Sequence, residues 1–163
     1  MSKLLPLVLP LVLGVAACDG YPRDANDSTR RADEHAMRVG VSHDPPFVVA
    51  SAGGREPAGI EIAMIRDLAR AREADVEWVV SGHDALMREL KALRLHAVVG
   101  GHVRGSAWES EVGWSLEYRL RPAPQGPLVA RRLALPPGEN AWQLVVDRHL
   151  FSDDAALGAG PRR

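Results

Sequence analysis

Met37-Arg-Val-Gly-Val-Ser42 is the stretch from which the fold is read. Apolar side chains alternate there with small or polar ones, the period of a strand. His43-Asp-Pro-Pro-Phe47 follows, and two successive prolines end regular structure. Phe47 to Ala50 reads as a short extended segment, and Ser51 to Pro57, with Gly53-Gly54, as a loop. From Gly59 the period changes. Ile60, Met64, Ile65, Leu68 and Ala69 fall on one helical stripe, with Glu61, Arg66, Asp67, Arg70 and Glu73 mostly on the other faces. Val76-Glu-Trp-Val-Val80 predicts a second strand, its Val-Val end suited to burial.

The alternation continues outward from there. Ser81-Gly-His-Asp84 predicts a turn, with Asp84 as N-cap of a helix carrying Leu86, Met87, Leu90 and Leu93. Ala97-Val-Val-Gly100 predicts a short apolar strand that Gly100-Gly101 breaks. Ser106 is placed to cap a short helix through Val112. Leu128 to Leu135 predicts a strand, and Pro136-Pro-Gly-Glu139 leads into a last helix with Trp142, Val145, Val146, His149 and Leu150 on one stripe. A β–α–β–α–β–α–β–α order predicts an α/β domain with a mainly parallel sheet flanked by helices. The packed body is residues 37–151, enough for one modest core.

The ends read differently. Residues 1–17 carry Lys3 and then the uncharged stretch Leu4 to Ala17, broken by Pro6 and Pro10. That is the form of a targeting segment, too short for a stable membrane span. It ends in Val15-Ala16-Ala17-Cys18, small residues before the only cysteine, which resembles the lipobox of bacterial lipoproteins. That resemblance implies acylation (palmitate among the acyl groups) at Cys18 and a place on the periplasmic face of a bacterial membrane. Asp19 after the cysteine favours the inner membrane. An ordinary secretory peptide cut near Ala17 is the other reading. Residues 18–36 are polar and predict a flexible tether; residues 152–163 predict a disordered tail.

Composition narrows the function. The 163 residues carry 20 Lys+Arg against 21 Asp+Glu, so no basic stripe favours nucleic acid. One cysteine excludes an internal disulfide framework and multi-cysteine zinc sites. An extracytoplasmic body is removed from ATP and NAD, which counts against a kinase or a dehydrogenase, and no cofactor is expected.

Met37 to Tyr118 resembles the first lobe of the bacterial extracellular solute-binding proteins of family 3. The landmarks are Arg38-Val39-Gly40, Pro46-Phe47, Gly59-Ile60-Glu61-Ile62, the segments Leu86 to Leu95 and Ala97 to Gly100, and Trp114-Ser115-Leu116-Glu117-Tyr118. The resemblance implies a periplasmic-binding-protein-like lobe. It also implies a function as receptor component of a transport or sensing system. Departures fall at the ligand positions: Gly100, Gly101 and Val103 stand where the family has hydroxyl residues. Trp108 stands where its carboxylate-clamping Arg belongs, and Arg104 lies four residues earlier. Amino-acid binding is therefore not carried over. Too few residues separate Tyr118 from Phe151 for a second lobe. Leu128 to Leu135 and the helix after it look like the family's returning segment, so Arg119 to Pro127 is read as short-cutting the missing lobe. A truncated gene is the other explanation, against which the well-patterned last helix argues.

Ligands of open α/β sheets sit at the carboxyl ends of the strands. That places His43–Phe47, Ser81–Asp84 and Gly100–Trp108 on one rim. The candidate ligand-binding set is Phe47, Glu61, Gly100, Gly101, Arg104 and Trp108: glycines for backbone approach and aromatics for stacking. His43, His83 and His102 share that rim but match no metal signature, so no metal site is expected. No nucleophile elbow or acid–base pair is present, and the chain is read as non-catalytic. The expected partners are a small polar solute, a membrane transporter or sensor, and the membrane through the lipid. The alternative is a protein–protein interaction module whose old cleft face docks a membrane partner. Exposed Phe47, Trp108 and Trp114 would favour that alternative, and a polar concave pocket the receptor.

Overall fold

Met37, Val39 and Val41 alternate inward and have no solvent contact, so the first strand is buried where its pattern says. The computed structural model describes residues 22–50, 55–123 and 125–156. The targeting segment, Cys18, Gly53-Gly54 and residues 157–163 lie outside the described residues. The elements run α1 (Ser28–Glu34), β1 (Met37–Val41), α2 (Ile60–Ala71), β2 (Val76–Val80), α3 (His83–Lys91), β3 (Ala97–His102), β4 (Gly113–Trp114), β5 (Tyr118–Leu120), β6 (Val129–Leu135) and α4 (Asn140–Ala156).

The sheet order is β2-β1-β3-β6-β4, with β5 paired to β6. β1 pairs parallel with β2 and with β3. The chain thus winds outward through α2 to β2 and returns through α3 to β3 on the other side of β1. The strand order reverses between β1 and β3, and a crevice opens beyond their carboxyl ends. β6 runs antiparallel to β3, β4 and β5. The lobe is α/β as expected, with a parallel centre. No described helix is long and apolar enough to cross a membrane.

Strand alternation divides the core into two faces. Val39, Val41, Val99, Leu133 and Leu135 meet Ile62, Ile65 and Leu68 of α2 and Trp142, Val146 and Leu150 of α4. Val98 and Ala134 face the opposite way, onto Leu86, Met87 and Leu90 of α3.

Several local expectations are corrected. Residues 22–36 are an ordered strap and not a tether: α1 lies on the lobe with Ala32 in the core. α4 runs through Ala156, past the expected start of the tail. β2 is an edge strand, so Val80 is 48% exposed. Gly82 is the N-cap of α3, Asp84 sits in its first turn, and Leu93 lies beyond its end. Residues 106–112 form turns and no helix. β3 also continues through Gly100-Gly101 to His102, where a strand end was expected. Between β5 and β6 the chain makes a hairpin across the span read as a short cut.

Candidate functional site

Gly100 and Gly101 form a bulge in β3. Val98 pairs with Ala134 and His102 with Arg132, so β3 spends more residues than β6 over that span. Both glycines have positive φ, 144° and 73°. A Cβ on Gly101 would stand 1.8 Å from Asp44 Oδ2, so only glycine fits there. The bulge turns two consecutive amides toward one atom. Gly100 and Gly101 N–H both donate to Glu61 Oε2, at 3.0 and 3.4 Å. Successive amides aimed in this way form a nest for an anion. Tyr118 Oη–H donates to the other carboxylate oxygen, Oε1, at 2.8 Å.

Glu61 itself has no solvent contact, against its expected place on an outer face. Gly59 explains how it gets there. Its φ of 120° turns the chain into α2, and a Cβ on it would stand 2.2 Å from the Phe47 carbonyl oxygen. The Glu61 N–H then donates to that carbonyl at 3.2 Å, which locks the head of α2 under the β1 loop. Burial pushes the Glu61 carboxyl up from its ordinary value, and the Tyr118 hydroxyl, the two amides and Arg131 oppose that shift. Burial and the neighbouring carboxylate push the Tyr118 hydroxyl up as well.

Beside Glu61, the loop after β1 is folded on itself: Asp44 N–H donates to the Val48 carbonyl, and the Asp44 carbonyl accepts from Phe47 and Val48. Phe47 is buried at 4% exposure. Above its ring lies the guanidinium of Arg131, centred 4.4 Å away, with Nη2 3.7 Å from Asp44 Oδ2. Arg131 comes from β6, on the face that also carries Leu133 and Leu135. Arg132, next in the strand, points to the other face. Its guanidinium lies 4.5 Å from the Trp114 ring and donates to both oxygens of Glu109, at 2.8 and 2.7 Å, and to the Val103 carbonyl. Those bonds hold the Glu109 carboxyl down to about 2. A cleft of about 240 Å³ is lined by Val103, Arg104, Glu117, Ala130, Arg131 and Arg132.

The structure therefore brings Phe47, Glu61, Gly100 and Gly101 together. Arg104 lies on the cleft, exposed, with Nε donating to Glu117 at 3.0 Å. Trp108 is placed apart from Phe47: it packs against the α3 core cluster, and its indole N–H donates to Asp84 at 3.2 Å. The two glycine amides, expected to face a ligand, are given to Glu61. Of the three rim histidines, His83 and His102 meet at a tilt, centroids 5.2 Å apart, while His43 accepts from the Ala50 N–H. Burial pushes His102 down to about 4, with His83 adding to the effect. No group of three metal-ligating side chains occurs among the described residues. Sequence reasoning missed Arg131, Tyr118 and Asp44 as site residues. The available signal was Arg131-Arg132 inside an apolar alternating strand, where one of two neighbours must face inward.

No protein-family model matches the chain, and no curated protein matches its sequence. Solved structures do match. The arginine-bound form of domain 1 from TmArgBP, from T. maritima, superposes with a TM-score of 0.63 at 18% identity, over 76% of this chain and 97% of that one. EhuB in complex with hydroxyectoine gives 0.65 at 13% identity, over 82% of this chain and 89% of that one. The substrate binding protein of an amino acid ABC transporter gives 0.60 at 14% identity, over 76% and 94%. At such identities the likeness is one of fold. This chain has the fold of a single lobe of the solute-binding proteins, in keeping with the landmarks from Arg38 to Tyr118.

Proposed function

We propose that the protein is an extracytoplasmic solute-binding lobe, the receptor component of a transport or sensing system. It is held at the periplasmic face of a bacterial membrane, the inner one, by lipid on Cys18, and it acts by non-covalent binding without catalysis. The observation that supports this reading is the cleft of about 240 Å³ whose lining includes the charged residues Arg104, Glu117, Arg131 and Arg132. The aromatic rim that would favour a protein-docking face is largely drawn in: Phe47 is buried, and Trp108 and Trp114 are half-buried against the core. The exposed Arg104 guanidinium on this cleft suits a small solute bearing a carboxylate or a similar anion. Proteins similar in fold hold arginine and hydroxyectoine, both small and polar. One lobe covers less of such a ligand than two, so affinity is modest unless a partner or second copy completes the pocket.

Thermal melting of the purified protein against organic anions, amino acids, polyamines and divalent metals tests the proposal. A ligand at about a hundred times its dissociation constant adds roughly 2.7 kcal/mol, a shift of several degrees. The expected result is a saturable rise from one class of anionic solute, reduced by Arg104→Ala. A sharp melt that no solute moves would sink the receptor reading in favour of a protein partner.

A further inference from the structure

Two polar seats lie in the crevice between β1 and β3, and the chain fills both itself. The glycine amides hold the Glu61 carboxylate. The second seat has the Phe47 ring as its floor and the Asp44 carboxylate as its wall, and Gly101 leaves Asp44 room. An aromatic face beside a carboxylate is the pairing that holds a planar cation. Arg131 lies there with its side chain only 13% exposed. Its fit is loose. The 3.7 Å separation from Asp44 exceeds a hydrogen bond. Arg131 Nε and Asp44 Oδ2 are both buried without a hydrogen-bond partner. Nη1 donates only to the neighbouring Ala130 carbonyl, at 3.2 Å. The Arg131 backbone is held by its ladder to Tyr118, so the strand does not depend on this side chain.

We infer that Phe47 and Asp44 form a guanidinium-binding subsite and that Arg131 is its tethered occupant. A tethered group acts at an effective concentration on the order of millimolar. A free cationic solute at micromolar concentration does not displace it. Arg131 thereby sets specificity: the seat refuses cations and leaves the cleft to an anion, a last step that rests on the receptor reading.

The test is Arg131→Ala with methylguanidinium chloride as probe and sodium chloride at equal ionic strength as control. The variant should gain a saturable rise in melting midpoint, with affinity at least about tenfold above that of the wild-type protein. Adding Asp44→Asn should abolish it. A folded Arg131→Ala protein with no saturable rise, or a wild-type protein with the same rise, overturns the inference. Where the variant does not fold, NMR of the wild-type protein decides. The Arg131 Nε–H should be ring-current shifted and slow to exchange, and Phe47→Leu should remove the shift; a solvent-like Nε–H overturns the inference. The solute panel is read on the wild-type protein. A silent panel with a positive Arg131→Ala result removes the receptor reading alone, and the reverse removes only the subsite.

Discussion

A carboxylate taken out of water costs several kcal/mol unless donors replace its hydration. Glu61 has three: the Gly100 amide, the Gly101 amide and the Tyr118 hydroxyl. They come from β3 and β5, while Glu61 comes from α2, so one side chain ties three elements at the crevice. Its replacement separates charge from hydrogen bonding. Glu61→Ala leaves three buried donors without an acceptor and should cost roughly 3–5 kcal/mol, read from urea denaturation. Glu61→Gln keeps an acceptor for the amides and removes the charge. Because burial already pushes the carboxyl up, the glutamine variant should lose much less, about 1 kcal/mol. Equal losses from both variants would mean that the negative charge, paired with Arg131, is what the site needs.

At the scale of elements, α1 is the piece that the sequence conceals. Ser28–Glu34 holds one buried apolar residue, Ala32, and too few turns to form a helix alone. What fixes it is a clasp with the head of α4. Glu139 accepts from the amides of Asn26 and Ser28, at 2.8 and 2.9 Å. Asp24 accepts from the Thr29 amide and hydroxyl at 2.8 and 2.6 Å, and from the Trp142 amide at 2.8 Å. Each carboxylate satisfies helix-end donors that would otherwise lack partners. Glu139→Ala should cost about 2–3 kcal/mol and speed hydrogen exchange in 27–34. A loss below about 0.5 kcal/mol, the level of an ordinary surface change, would mean that the strap contributes nothing. Legibility followed the same physics. β1, α2, β6 and α4 were readable because each buries a periodic apolar face of its own. α1, β4 and β5 were not, since two to seven residues carry too little period and their partners lie far away in sequence. Phe47, Glu61, Gly100 and Gly101, which lie together in the fold, were named as candidates from their landmarks. Arg131 was not, because only the crossing of β6 past β3 brings it over Phe47.

The whole molecule carries two histidines buried in separate places, and together they set its response to acid. His96 accepts the Arg38 N–H on Nδ1 at 2.9 Å, so a second proton would land on an atom already used as an acceptor. His102 lies under Trp114 and against His83. Burial, first, and nearby cations push both down to about 4 from an ordinary 6.5. Both are therefore neutral in the fold, while the unfolded chain takes up their protons more readily. Their contribution to stability is complete above about pH 6.5 and is lost as pH falls toward 4. Each histidine removes up to about 1.4 kcal/mol per pH unit across that window. Glu61 and Asp147 act with the opposite sign. Burial pushes both carboxyls up, so the fold binds their protons more readily than the unfolded chain, and protonation offsets part of the loss at the acid end. The expected profile is a urea midpoint that is level from pH 8 to 7 and falls steeply from 6.5 to 4.5. In His102→Gln that fall should be about half as steep, since one of the two linked protons is gone. A midpoint level from pH 7 to 5 would show both imidazoles in contact with water. The two packed faces of the sheet, which shut them in, would then have to open in solution.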